Sequence, residues 1–228
     1  MSPEQVLEAL VGLVVFVFSV VVHENAHGLA AERYGDLTAR MMGRITMNPL
    51  PHIDPVGSII LPILAFVGGI PFIGWAKPVP VNSANLRNPI VHNAYVAAAG
   101  PASNFLLATL GTILYIVVLL AYKHIPGLHT TGGNSLLFFR SLCEMMIVIN
   151  CVLGIFNLIP VPPLDGHWIL FRYLPPRYAE MLASIRPYGF FILLILLWTG
   201  VIGFILGFPL QFLAGSLIKL ARFAVISI

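Results

Sequence analysis

The fold is restricted most by long apolar stretches that recur along the chain. The first of them, Val11–Val22, contains only Gly12 and Ser19 besides large apolar residues. Over the whole chain 58% of the residues are hydrophobic and 9% are charged, whereas soluble domains carry about 25% charged residues. We therefore predict an integral membrane protein. The net charge of +3 needs no nucleic acid to explain it, because membrane proteins collect basic residues in their cytoplasmic loops.

The apolar stretches predict an all-α polytopic membrane protein with about five transmembrane helices, folded as a single domain over residues 1–228. Helices are expected at about 2–34, 92–122 and 135–158. The last apolar region, Tyr188–Phe223, is predicted to break around Gly207–Pro209. It would then form a C-terminal helical pair at about 187–226.

Three further segments do not have the pattern of a membrane-spanning helix. Apolar and polar residues alternate from Leu37 to Asn48, as in a half-exposed strand. The prolines in Trp75–Asn82 exclude a helix there. We expect these two pieces to form a small membrane-associated β-sheet. Residues 56–73 are apolar but interrupted by proline and glycine, which predicts either one short span or a re-entrant hairpin.

Ionisable residues end the first apolar stretch in the pattern His23-Glu24-x-x-His27. Histidines four residues apart lie on the same face of a helix, so their ring nitrogens can bind one metal ion. Glu24 lies beside them and can take a proton from a metal-activated water. Such groups are costly at membrane depth, which favours a functional site. The alternative interpretation is a pair of surface histidines at a helix end.

Asp165 is the best candidate for a third metal ligand. A catalytic zinc site usually has three protein ligands and one open position. Asp165 follows the proline-rich turn Pro160–Pro163, which can hold a carboxylate rigidly. An ordinary turn aspartate before Gly166 is the alternative. Pairing with the two histidines favours the metal-ligand interpretation.

Together these motifs resemble the site-2 protease family of intramembrane zinc metalloproteases (peptidase family M50). The similar segments are His23-Glu24-x-x-His27, Gly74–Asn82, Gly100-Pro101-x-x-Asn104 and Asn157-x-x-Pro160-x-Pro162-x-Leu164-Asp165-Gly166. The resemblance extends to about Gly166 and is to small prokaryotic members, without a PDZ insert or a nucleotide-binding appendage. It implies a catalytic core at about 3–170.

The resemblance also implies roles for single residues. One Zn²⁺ ion would be bound by His23, His27 and Asp165. Glu24 would be the general base, and Asn157 would contact the substrate or the oxyanion.

We therefore expect a zinc-dependent intramembrane endopeptidase that hydrolyses peptide bonds within or near transmembrane segments of membrane-protein substrates. Asn157 or Asn104 is expected to donate a hydrogen bond to the developing oxyanion, although packing between helices is the alternative for both amides. Two other functions stay open: a membrane metal-ion transporter, and a catalytically silent relative that binds membrane partners. The sequence leaves the oligomeric state unknown.

The metal site also predicts the orientation in the bilayer. Asp165 must lie at the same depth as the histidines, so residues 56–73 must begin and end on one side, as a re-entrant hairpin would. Eight basic residues then lie on the metal side, with Lys123 and Arg140 opposite. The positive-inside rule makes the metal side cytoplasmic. We expect a multi-pass protein of the inner (cytoplasmic) membrane whose active site opens toward the cytoplasm.

Overall fold

The computed structural model describes residues 3–60, 75–125 and 133–226. Its α-helices are, in chain order, α1 (Pro3–Arg33), α2 (Thr38–Met41), α3 (Pro89–His124), α4 (Gly133–Asn157), α5 (Gly166–Phe171), α6 (Pro176–Ile185), α7 (Gly189–Trp198) and α8 (Val201–Ile226). Shorter turns are Leu50–His52, Ser83–Asn85 and Arg186–Tyr188, which are 3₁₀, and Pro55–Ile60, which is π-helical.

Within the described residues, five segments are long and apolar enough to cross a membrane, which agrees with the predicted number. They are Val6–Arg33, Pro89–His124, Phe138–Asn157, Pro176–Trp198 and Val201–Val225. Their outward faces carry large apolar side chains, such as Leu106 at 72% and Phe204 at 88% exposure. Soluble monomers rarely expose contiguous apolar surface of this kind. The chain is a multi-pass membrane protein, and the regular structure of its described part is all helical.

The bundle is built around α3 and α4, and both α1 and α8 pack against this pair. Small residues let the helices approach closely, and Tyr115 is buried between them. The core cluster consists of Ala108, Tyr115, Cys143, Ile147, Cys151, Ala214 and Ala221. Both cysteines are free and buried, as their apolar surroundings predict.

The C-terminal region breaks earlier than the sequence predicted. The break lies at Thr199–Gly200, between α7 and α8, and Gly200 has a φ of 77°. Glycine adopts this left-handed conformation without a steric penalty. Pro209 lies inside α8 and does not end it, because transmembrane helices tolerate an internal proline. The predicted break around Gly207–Pro209 is therefore wrong.

Helix α8 runs from the Asp165 end of the bundle to the opposite end. Ile202, at its start, clusters with Ile159 and Leu164. Near its end, the carbonyl of Val225 accepts a hydrogen bond of 2.9 Å from Lys123, at the far end of α3.

The connection between α1 and α3 begins and ends on one side of the bundle. The backbone N–H of Arg87 donates to the carbonyl of Tyr34 over 3.1 Å. The predicted re-entrant hairpin at 56–73 falls mainly on residues 61–74, which lie outside the described residues. Of its start, Pro55–Ile60 is a single π-helical turn.

The predicted β-sheet does not occur in the described part of the chain. Residues 75–82 are extended, but side chains and two backbone carbonyls take the hydrogen bonds that a neighbouring strand would make. The N–H groups of Trp75, Lys77, Val79 and Asn82 donate to Gly57 O, His52 O, Glu24 and Asp36, respectively. The carbonyl of Trp75 accepts from Ser58, and the carbonyls of Lys77 and Pro78 accept from Arg44.

The other predicted strand, Leu37–Asn48, contains the short helix α2 instead. The fully buried carboxylate of Asp36 accepts hydrogen bonds from the backbone N–H of Thr38, at 3.0 Å, and from its hydroxyl. Such an Asx turn reverses the chain locally and competes with extended structure. Burial would raise the pKa of Asp36, but the hydrogen bonds from Thr38, Asn85 and Asn82 lower it below its usual value.

Candidate metal centre

The structure brings the three predicted metal ligands together. His23 and His27 lie one turn apart on α1, and Asp165 immediately precedes α5. The two Nε2 atoms are 3.0 Å apart. Nε2 of His23 lies 3.2 Å from Oδ2 of Asp165, and Nε2 of His27 lies 3.3 Å from Oδ1.

These distances fit one tetrahedral zinc ion. Ligand atoms about 2.0–2.1 Å from a tetrahedral zinc are about 3.3–3.4 Å from one another. Within residues 3–60, 75–125 and 133–226, this trio is the one group of three or more His, Cys, Asp or Glu side chains close enough to share an ion. Both histidines are buried, at 7% and 8% exposure.

Hydrogen bonds fix the tautomers of both histidines. Nδ1 of His23 lies 2.6 Å from Oδ1 of Asn104, and Nδ1 of His27 lies 2.7 Å from the carbonyl oxygen of Val96. Both oxygens can only accept, so each Nδ1 carries the proton and each Nε2 presents a lone pair.

The lone pairs of the three ligands face one another. Oδ2 of Asp165 is buried and has no hydrogen-bond donor. A carboxylate and two imidazole lone pairs repel one another at these distances unless a cation lies between them. The donor set of two imidazole nitrogens and one carboxylate is typical of catalytic zinc, so the residues present fit Zn²⁺.

Two glycines permit this convergence. A Cβ atom on Gly100 of α3 would lie 2.5 Å from Cε1 of His27 and 2.6 Å from Cε1 of His23. A Cβ atom on Gly166 would lie 2.5 Å from the carbonyl oxygen of Ile159, at the end of α4. Gly100 therefore lets the imidazoles pack on α3, and Gly166 lets the Asp165 turn fold back over α4.

Glu24 lies beside the ligands in a cavity of about 330 Å³. Its Oε2 accepts a hydrogen bond of 2.7 Å from the backbone N–H of Val79. The cavity is lined by the three ligands and Glu24 together with Pro78, Val79, Val81, Ser83, Asn93, Asn157 and Trp168. The predicted base and ligands thus share one cavity with the extended segment.

The two asparagines named from the sequence lie in different environments. Asn157 lines the cavity, and its Nδ2 donates to the carbonyl of Leu153 over 3.0 Å. Asn104 is fully buried outside the cavity lining, and its Nδ2 donates to Oδ1 of Asn150 over 2.9 Å. Since its Oδ1 binds His23, both ends of the Asn104 amide are used. The expected contact of Asn104 with the substrate or the oxyanion does not fit this position.

Sequence reasoning missed Asn93 and Ser83 in the cavity wall. The hydroxyl of Ser83 donates to Oδ1 of Asn93 over 3.0 Å. Residues 93, 97, 100 and 104 are spaced by four, three and four positions, which places them on one helix face. That spacing, counted back from the Gly100 motif, is a signal from which Asn93 could have been predicted.

Trp168 was also missed, because an aromatic residue in an apolar helix is ordinary. It forms one side of the cavity, and the guanidinium of Arg186 lies 4.0 Å from the centre of its ring. This contact joins the turn before α7 to the cavity wall. Burial lowers the pKa of the adjacent His167, whose Nδ1 donates to the carbonyl of Leu164 over 2.5 Å.

Comparison with known proteins places these residues in context. The model of Peptidase family M50 matches residues 11–198. "Putative zinc metalloprotease YwhC" of Bacillus subtilis is 34% identical over 91% of this chain and 89% of its own length. "Putative zinc metalloprotease Rip2" of Mycolicibacterium smegmatis is 31% identical over 81% of this chain and 65% of its own length. No solved structure matches the chain significantly.

Proposed function

Because the chain belongs to peptidase family M50, we propose that it is a zinc-dependent endopeptidase that cleaves membrane proteins within or near their transmembrane segments. The observation that carries the proposal is the convergence of His23, His27 and Asp165 with Glu24 in one cavity. His23 lies ten residues before the end of α1 at Arg33, or about 15 Å along the helix axis. This depth supports cleavage below the membrane surface.

The residues have separate roles in hydrolysis. His23, His27 and Asp165 would hold Zn²⁺, which would supply Lewis-acid chemistry by polarising a carbonyl group and making water more acidic. Glu24 accepts the proton of the attacking water and passes it to the leaving amine. The bond from Val79 N–H holds Oε2 of Glu24, which leaves Oε1 to take the proton.

The extended segment 75–82 offers a place for an unwound substrate. A transmembrane helix shields its peptide bonds, so a scissile segment must leave the helical conformation first. Pro78, Val79 and Val81 line the cavity, and within the described residues the backbone of Val81 makes no hydrogen bond. Strand addition to such an edge uses main-chain hydrogen bonds and does not require a fixed sequence. Asn157, which lines the same cavity, contacts the substrate or the oxyanion in this arrangement.

The site opens toward the cytoplasm from the inner membrane in this proposal. The Arg87–Tyr34 hydrogen bond returns the chain to the side it left, so α1 ends and α3 begins on the metal side. Eight Lys and Arg residues then lie on the metal side, which the positive-inside rule makes cytoplasmic.

Labelling tests this orientation. Cys143 and Cys151 are buried, so a membrane-impermeant maleimide should report only on added cysteines. We expect Lys123→Cys to react with the maleimide in intact spheroplasts. We expect Arg177→Cys to react only after the membrane has been permeabilised. The reverse pattern would overturn the orientation.

The activity is tested with purified protein in detergent and a model transmembrane substrate. We expect cleavage by the wild type and no cleavage by Glu24→Gln, with zinc content unchanged. Glu32→Gln is the matched control, because Glu32 lies on the same helix and binds Arg40 at the surface. Cleavage by Glu24→Gln at the wild-type rate would refute the mechanism. Zinc transport into liposomes without cleavage would identify a transporter instead.

A further inference from the structure

A chain of buried polar side chains leads away from the metal site into the bundle. Nδ1 of His23 bonds Asn104, Asn104 bonds Asn150, and Nδ2 of Asn150 donates to Oγ of Ser19, over 2.6, 2.9 and 2.9 Å. Ser19, Asn104 and Asn150 have no exposed surface at all. Their elements are α1, α3 and α4, so the chain connects all three helices around the site.

The carbonyl oxygen of Met146 determines which amide atoms donate and which accept along this series of hydrogen bonds. Nδ2 of Asn150 also donates to the carbonyl oxygen of Met146 over 2.9 Å, and a carbonyl oxygen can only accept. Asn150 must therefore turn its Oδ1 toward Asn104. Asn104 must then donate from Nδ2 and turn its own Oδ1 toward His23.

The hydrogen bond between Asn104 and His23 fixes the tautomer of the metal ligand His23. Oδ1 of Asn104 accepts only if Nδ1 of His23 carries the proton, and that tautomer presents the Nε2 lone pair to the ion. We propose that Asn150 is a positioning residue for the zinc ligand His23, acting through Asn104. The proposal rests on the zinc site described above and assigns no contact with the substrate to Asn150.

An apolar residue at position 150 should weaken zinc binding. Without Asn150, Nδ2 of Asn104 is buried without an acceptor. The metal-free protein can relieve this by turning the amide over, so that Nδ2 faces Nδ1 of His23 and the imidazole takes the other tautomer. The zinc-bound protein cannot turn this amide over, because Nε2 of His23 must stay unprotonated to bind the ion. Loss of partners behind a ligand histidine lowers metal affinity by roughly 10–100-fold.

The conservative variant separates positioning from packing. Asn150→Asp keeps an oxygen that accepts from Asn104, whether the carboxyl group is ionised or neutral. Asn150→Leu keeps similar volume but removes the acceptor. A packing role predicts that leucine is tolerated in this apolar bundle and aspartate is not, whereas the positioning role predicts the opposite order.

The experiment measures zinc affinity by competition with a chromogenic chelator, together with the visible spectrum of the Co²⁺-substituted protein. We expect Asn150→Leu to lose roughly 10–100-fold in affinity and to change the cobalt spectrum. We expect Asn150→Asp to stay within about threefold of wild type. Thr112→Val is the control, since Thr112 is buried on α3 and its hydroxyl donates to the carbonyl of Ala108. The zinc affinity of this variant should be unchanged.

The outcomes distinguish this proposal from the zinc site itself. Wild type that binds no zinc would overturn both. Wild-type affinity in Asn150→Leu, or a loss of tenfold or more in folded Asn150→Asp, would overturn the positioning role and leave the zinc site standing. If Asn150→Leu does not fold, as judged by thermal unfolding, the Asn150→Asp result alone decides.

Discussion

Replacing Gly100 with alanine tests whether the close approach of α3 is what shapes the metal site. The new Cβ atom would lie 2.5 Å from Cε1 of His27 and 2.6 Å from Cε1 of His23, and closer still to Nε2 of His27. Carbon atoms in contact are separated by about 3.5–4.0 Å. One or both imidazoles must therefore move by about 1 Å, or α3 must move away from α1 by a similar distance.

A displacement of this size is large for a zinc site. Metal–ligand distances are held within about 0.2 Å, and a misplacement of about 1 Å in catalytic geometry costs about 100-fold in rate. The helix itself should not suffer, because alanine is favoured over glycine by about 0.8–1.0 kcal/mol in a helix interior. We therefore expect Gly100→Ala to stay folded, with zinc affinity and cleavage each reduced by about 100-fold.

Gly111→Ala provides the matched control on the same helix. A Cβ atom there would lie 3.2 Å from side-chain atoms of Ile147 and Met146, which can give way by a few tenths of an ångström. Zinc content by metal analysis, chelator competition and cleavage of a transmembrane substrate are compared for both variants. Stoichiometric zinc and wild-type cleavage in Gly100→Ala would show that the site does not depend on this contact.

Three further changes test other parts of the site. Asp165→Ala should abolish stoichiometric zinc binding while the bundle stays folded, as measured by metal analysis and circular dichroism; retained zinc would exclude Asp165 as a ligand. Arg44→Leu removes two charge-assisted bonds to the extended segment, each worth about 1.5–3 kcal/mol, so proteolytic nicking near Lys77 should rise and kcat/KM should fall; unchanged nicking would contradict this anchoring role. Because folding lowers the pKa of Asp36, its ionised carboxylate stabilises the fold at pH values above the pKa of an unfolded aspartate. The wild-type Tm should therefore fall toward that of Asp36→Asn as the pH drops below about 4; a constant difference between the two would argue against this.

The metal ligands could be predicted from the sequence because their spacing carries chemistry. Two histidines four residues apart share a helix face wherever that helix lies, and an aspartate in a proline-rich turn was a suitable third donor. The structure places His23, His27 and Asp165 together. The number of candidate membrane spans follows equally directly from hydropathy.

The extended segments show what the sequence could not supply. Prolines in Trp75–Asn82 correctly excluded a helix, but an extended backbone does not identify its hydrogen-bond partner. Here the partners include the side chains of Glu24, Asp36 and Arg44, which are remote in sequence. A strand and a side-chain-anchored segment have the same local pattern, so only tertiary structure separates them.

Asn104 illustrates the same limit for a functional residue. Its motif resembles that of a protease family, and an amide near a zinc site is a reasonable oxyanion donor. Which way the amide faces depends on Asn150, a residue of another helix. The signal was present in spacing, since Ser19 lies one turn before His23 and Asn150 lies two turns before Asn157, but spacing alone does not say that the faces meet.

The reacting groups are held by different parts of the fold, and this has a consequence for substrate entry. His23 is oriented through Asn104, His27 by the carbonyl of Val96, and Glu24 by the N–H of Val79. The first two supports belong to α3, whereas Val79 belongs to the extended segment. A substrate that pairs with that segment through the backbone of Val81 would leave the bond from the Val79 N–H to Glu24 in place, and the histidines would keep their supports. Substrate entry along segment 75–82 would therefore disturb neither the proton acceptor nor the zinc ligands, whereas entry that separates α3 from α1 would disturb the metal site itself.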